Sequence, residues 1–180
     1  FMLLKHQFFN DYSETAHPAC LQAVAHKSEQ QQIGYGLDEI SARARDLIQA
    51  QIHAPAAEIH FCSGGTQANL TVIGSMLRPH EAVIAVESGH IATHETGAIE
   101  ATGHKVIHVP HVHGKLTPEA VARALTAHPN EHSVKPRMLF ISQSTEFGTV
   151  YSKAELQRLR ALCDAHNLYL YIDGARLGMA

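Results

Sequence analysis

Short apolar runs alternate along the chain with longer stretches whose apolar residues recur every third or fourth position. The runs Ala82-Val-Ile-Ala-Val86, Lys105-Val-Ile-His-Val109, Arg137-Met-Leu-Phe-Ile-Ser142 and Tyr169 to Ile172 predict buried strands, and Glu58-Ile-His-Phe-Cys62 predicts a further short one. Pro18 opens a helical tract reaching to about Gln32, which Gly34-Tyr35-Gly36 breaks. Asp38 is placed to cap a second helix with Ile40, Ala44, Leu47, Ile48 and Ile52 on one face. Further helices are expected over Gln67 to Leu77, around His94 to Ala101, and after Thr117-Pro118. Ser152 and Glu155 form a capping-box pair ahead of Leu156, Leu159 and Leu162. Strands taking turns with helices predict an α/β fold, a mostly parallel sheet with helices on both faces. No internal repeat, low-complexity tract or linker interrupts the pattern.

Composition narrows the class. With 180 residues, 45% hydrophobic, 17% charged and no Trp, the chain reads as one soluble globular domain or part of a larger one. A formal charge of -3 provides no basic field for nucleic acid. No run approaches the roughly 18 apolar residues of a membrane span, and the start FMLLKHQFFND is charged too soon for a signal peptide. Cys20, Cys62 and Cys163 are odd in number and widely spaced, which argues for reduced thiols, a cytoplasmic location and a core-filling role for each. The 15 histidines are scattered and are expected to be mostly exposed.

Three segments at predicted strand ends carry candidate chemistry. Ser63-Gly64-Gly65-Thr66-Gln67-Ala68-Asn69 joins a strand to a helix, where glycines admit a ligand close to the backbone and the first helical N–H groups suit a phosphate. The competing reading is a plain turn capped by Thr66 or Ser63. Glu87-Ser-Gly-His90-Ile-Ala-Thr-His94-Glu95 holds two histidines four apart, a spacing that fits zinc but lacks a third ligand. The other reading lays His90 flat against an aromatic cofactor, with His94 and Glu95 turned to solvent or the next turn. Ile172-Asp-Gly-Ala-Arg-Leu-Gly178 puts Asp173 where a strand opens at its C-terminal end, the edge at which α/β sheets bind ligands. There Asp173 either caps the next turn or holds a ligand cation, and Arg176 either pairs with a neighbouring carboxylate or binds an anion. A phosphate loop, a stacking ring and an acid for a ring nitrogen together meet the needs of pyridoxal phosphate, whose pyridine works as an electron sink when protonated.

The order and spacing of several motifs resemble low-specificity threonine aldolases of the β-eliminating lyase group. They are Phe9-Asn-Asp-Tyr-Ser13, His17-Pro18, Gly34-Tyr-Gly-Leu-Asp38, Gly64-Gly-Thr-Gln-Ala-Asn69, Gly89-His-Ile91, His94-Glu95, Gly114-Lys-Leu-Thr117, Gln143-Ser-Thr-Glu146 and Tyr171-Ile-Asp-Gly-Ala-Arg176. The resemblance implies an aspartate-aminotransferase-like large domain of fold-type I, with residues 1–55 a helical segment packing on it and 56–180 its incomplete pyridoxal-phosphate-binding part.

By the same resemblance, Gly65, Thr66 and Gln67 match the phosphate loop, His90 the stacking residue, Asp173 the acid on the pyridine nitrogen, and Arg176 the ligand of the substrate carboxylate. Asn10 stands where related enzymes commonly carry Ser near that carboxylate, and Tyr35 falls in a segment that reaches the active site, often of a neighbouring subunit, so a homodimer or homotetramer is implied. The implied reaction is retro-aldol cleavage of threonine or allo-threonine to glycine and acetaldehyde, with His90 the nearest candidate base. The resemblance places the cofactor-anchoring lysine a few dozen residues beyond Asp-Gly-Ala-Arg, past Ala180, and none of Lys5, Lys27, Lys105, Lys115, Lys135 and Lys153 is suitably placed. The chain therefore reads as a fragment that is inactive alone. The alternatives are another β-eliminating or phenylserine-type activity, serine hydroxymethyl transfer, a non-catalytic α/β binding domain, and a metal hydrolase on His90 and His94.

Overall fold

A computed structural model describes residues 8–180, which divide into two compact units, one up to Phe61 and one from Cys62. The first unit contains helices α1 (Pro18–Lys27) and α2 (Glu39–Gln51). Pro18 occupies the first turn of α1, where its missing N–H costs nothing. That helix ends well short of Gln32. Asp38 caps α2 as expected, accepting the Ser41 N–H at 2.8 Å. Between the helices, Tyr35 (φ 64°) and Gly36 (φ 71°) both adopt the left-handed conformation, and Arg45 holds the turn by donating to the Gly36 carbonyl at 2.9 Å. No residue of either helix is buried, including the apolar face expected on α2.

The second unit is an α/β layer structure. Helix α3 (Gly65–Met76) leads to strand β1 (Glu81–Val86), then α4 (His90–Thr93), α5 (Ala98–Ala101), β2 (Val106–Val109), α6 (Pro118–Thr126), β3 (Lys135–Ser142), α7 (Lys153–His166) and β4 (Tyr169–Asp173). All pairings are parallel, in the order β2-β1-β3-β4. The chain leaves β1 for β2 on one side and then crosses back to β3 on the other. That reversal creates a crevice at the carboxyl ends of the strands. Strand β1 is buried along its whole length, and its side chains alternate between two cores. Ile84 and Val86 join Leu139, Ile141, Val121 and Leu159 in the core that includes α6 and α7, whereas Val83 and Ala85 join Ile73, Ile91, Ile99, Met138 and Phe140 in the core that includes α3 to α5. Both sheet faces are thus covered, as the near-continuous apolar strands required. Local signals act as read: Thr117 accepts the Ala120 N–H, and Ser152 and Glu155 form a reciprocal capping box.

Three expectations are corrected. Residues 58–62 form no strand, because a strand exists only through a partner and none of the described residues pairs with them. Of the helix expected around 94–101, only α5 from Ala98 forms; α4 ends at Thr93, and Thr96 (φ 51°) and Gly97 (φ 75°) are both left-handed and keep the two apart. Cys20 and Cys62 are exposed; Cys163 alone of the three fills a core. No helix among the described residues is long and apolar enough to cross a membrane.

Candidate active site

Helix α3 begins without a side-chain cap. Gly64 is its N-cap, and neither Ser63 nor Thr66 fills that role. The first helical bond runs from Ala68 N–H to the Gly64 carbonyl, so the amides of residues 65–67 have no intrahelical acceptor and point out of the helix start. A Cβ added at Gly64 or Gly65 would meet nothing within 4 Å. Gln67 closes the loop from behind: its side-chain carbonyl accepts both the Ser63 N–H at 2.7 Å and the Ser63 hydroxyl at 2.8 Å. An open, uncapped helix N-terminus of this kind suits an anion, with Gly65, Thr66 and Gln67 as donors.

One turn further along α3, Asn69 is fully buried and reaches across to two carboxylates. Its amide nitrogen donates to Glu95 Oε1 at 2.5 Å and to Asp173 Oδ2 at 3.2 Å, while its carbonyl accepts the Tyr171 hydroxyl at 2.6 Å. Burial, and after it the Asp173 and Glu95 carboxylates, push the Tyr171 hydroxyl up to about 12, so it remains a donor at neutral pH. Glu95 Oε1 also lies 2.8 Å from His90 Nδ1. Single atoms of His90, Glu95 and Asp173 fall within 4.8 Å of one another. His90 thus clusters with Glu95 and Asp173 and not with His94, whose ring is tilted 55° to that of His90 with centroids 5.6 Å apart.

Asp173 ends β4 in register with Ser142 of β3. It caps the next turn, one of the two readings made from the sequence: Oδ1 accepts the Ala175 N–H at 3.2 Å, while Oδ2 accepts from the Asn69 amide. Arg176 is exposed on that turn. Asn10 and Tyr35 belong to the first unit, where the Asn10 carbonyl accepts the Tyr12 N–H and the Ser13 hydroxyl and Tyr35 is fully exposed.

Glu95 overturns an expectation. It is buried and bonded to His90 and Asn69, where one reading of the sequence had turned it to solvent or the next turn. Its Oε2 atom is buried without a hydrogen-bond partner among the described residues. Asn69 and Tyr171 were not singled out either. Their signals were present: Asn69 is a polar residue in an apolar helix, and Tyr171 shares a strand face with Asp173 by the two-residue period.

A family profile described as beta-eliminating lyase matches residues 12–180. The chain is 33% identical over 176 residues to a low-specificity L-threonine aldolase of Pseudomonas aeruginosa, covering 97% of this chain and 51% of that protein. The chain belongs to the β-eliminating lyase family. Among solved structures, this β-eliminating lyase chain is similar to a threonine aldolase of Leishmania major, with 50% identity, a TM-score of 0.93, and coverage of 94% of this chain and 50% of the other. An aspartate aminotransferase of Thermotoga maritima shares the fold alone, at a TM-score of 0.70 and 18% identity, over 88% of this chain and 42% of its own. The α/β fold read from the strand-helix alternation is thus the fold found. This member of the family spans about half the length of the curated relatives it matches.

Proposed function

We propose that the chain supplies the cofactor-binding part of a pyridoxal-phosphate-dependent aldolase that cleaves threonine or allo-threonine to glycine and acetaldehyde. The observation that carries the reading is the double hydrogen bond of Asn69 to Glu95 and Asp173, because it gathers the first turns of α3, the His90 ring and the end of β4 into one cluster. The residues fit the cofactor. Uncapped amides beside Gly64 and Gly65 hold its phosphate, His90 offers a half-exposed ring to its pyridine, and Asp173 offers a carboxylate to its ring nitrogen. Bound there, the cofactor supplies a sink for the electron pair released when the Cα–Cβ bond breaks.

The protein's own groups do the rest. Arg176 would bind the substrate carboxylate through its planar fork and so orient the substrate. His90, with Nδ1 directed at Glu95, presents Nε2 to take the proton of the substrate hydroxyl. Asn10 and Tyr35 are proposed as further substrate-facing residues, and the assembly as a cytoplasmic homodimer or homotetramer with shared active sites. The anchoring lysine is proposed to lie outside these 180 residues: Lys105 and Lys135 stand at the N-terminal ends of β2 and β3, away from Asp173, and Lys115 is paired with Glu155.

The test uses the protein in the longest form its gene encodes. After incubation with pyridoxal phosphate and borohydride reduction, one cofactor adduct by intact mass is expected, together with acetaldehyde release from threonine in the unreduced sample. Asp173→Ala should lower both. A protein that takes up no cofactor, or takes it up and cleaves phenylserine or eliminates from tyrosine but leaves threonine intact, overturns the proposal.

A further inference from the structure

We infer that Asn69 is the positioning residue of this site, holding the Glu95 and Asp173 carboxylates side by side by donating one amide hydrogen to each. The inference rests on the cofactor reading above. Two carboxylates whose oxygens approach within 4.8 Å repel unless a donor stands between them. A pyridine nitrogen needs the Asp173 carboxylate turned towards it, and His90 needs the Glu95 carboxylate facing Nδ1 to keep a proton there. The Asn69 side chain meets both needs at once, at 2.5 Å to Glu95 and 3.2 Å to Asp173. Its orientation is not left to chance. An amide turned end for end would aim its oxygen at two carboxylates, and the Tyr171 hydroxyl blocks that by donating to the carbonyl at 2.6 Å. Glu95 has little else to lean on, since Oε2 has no partner among the described residues and Oε1 takes only Asn69 and His90. The chain thus links the group that stacks on the ring to the group that pairs with its nitrogen through a single buried amide.

Asn69→Asp and Tyr171→Phe test this in the longest gene product loaded with pyridoxal phosphate. Asn69→Asp keeps the shape and replaces two donors by a third carboxylate; Tyr171→Phe keeps the ring and frees the amide to turn. Losing a hydrogen bond to a charged group weakens binding on the order of tenfold to a hundredfold. The expected result is a cofactor dissociation constant raised by about that factor in Asn69→Asp and by a smaller factor in Tyr171→Phe. The visible absorption band of the bound cofactor should shift in both, and kcat for threonine should fall with KM changed less than threefold. If Asn69→Asp does not fold, Tyr171→Phe decides alone. Variants that match wild-type affinity and absorption band, or that lose thermal stability only, overturn the inference. Wild-type protein that takes up no cofactor overturns the functional reading itself, and this inference with it.

Discussion

His90 Nδ1 and Glu95 Oε1 lie 2.8 Å apart, and the glutamate side chain is wholly removed from solvent while the histidine is half-exposed. A carboxylate can only accept, so it selects the imidazole tautomer with its proton on Nδ1 and leaves Nε2 open as a base. On the proposed function, His90→Phe in the longest gene product keeps an aromatic ring for stacking and removes the proposed base. Its turnover of threonine should fall about a hundredfold or more, with cofactor uptake retained, as read by acetaldehyde release beside cofactor absorbance. Glu95→Gln should fall in the same direction, because the amide also offers a donor to Nδ1 and favours the opposite tautomer.

Gly114 adopts φ +81°, and a Cβ there would stand 2.8 Å from Thr145 Oγ1 and 2.9 Å from Phe147 Cδ2. Thr145 cannot step aside easily, since its hydroxyl is bonded to that of Thr149 at 2.7 Å, which itself donates to the His113 carbonyl. Gly114→Ala therefore combines backbone strain with overlap and should cost about 2 kcal/mol or more. A lowered urea midpoint with an unchanged slope is the expected signature.

Tyr151 is buried in the core beside α6 and α7, and its hydroxyl accepts the Leu116 N–H at 2.6 Å. Burial pushes that hydroxyl up to about 12. Tyr151→Phe leaves the Leu116 N–H buried without its acceptor, a loss of about 1–3 kcal/mol. Urea denaturation of wild type and variant checks it, and equal midpoints would show that water or another acceptor replaces the hydroxyl.

The Lys115 ammonium, 2.9 Å from both oxygens of Glu155, together with the Ser152 N–H, holds the Glu155 carboxyl down to about 2. A folded-state value below the unfolded one means that the pair stabilises above the ordinary carboxylate range and that its contribution is lost as pH falls from about 4.5 towards 2. Lys115→Met should be less stable than wild type at pH 7, and the gap should close on acidification. The pair is partly exposed, so added salt should shrink the gap as well. Urea midpoints across that pH range decide the matter.

The parts of the fold that were legible in the sequence are those governed by neighbouring residues. The caps at Asp38, Thr117 and Ser152 depend on groups three residues away, and the strands β1 and β3 announce themselves by apolar runs. Residues 58–62 carry a strand-like composition, but pairing is a property of two segments and their own residues do not contain it. The break at Thr96-Gly97 depends on two successive left-handed residues, of which only the glycine advertises the conformation. The cluster divides the same way. Asp173 and His90 were legible from their places at strand ends, whereas Asn69 meets Asp173 across 104 positions and Glu95 across 26. Glu95 looked like a surface residue because carboxylates usually are. Only the amide of Asn69 and the ring of His90 make its burial tolerable.

In the order β2-β1-β3-β4, the last strand is paired along one side only among the described residues. Its other side presents a row of backbone donors and acceptors flanked by Tyr169, Leu170, Tyr171 and Ile172, with no charge before Asp173 and no proline or bulge to blunt it. Such a margin is a template for any extended segment that comes near. The 180 residues handled by themselves are thus expected to associate along β4 as their concentration rises, which sedimentation at several concentrations would read. A strand laid against Tyr169–Asp173 would remove that tendency, and with it the exposure of the carbonyl and amide groups nearest to Asp173.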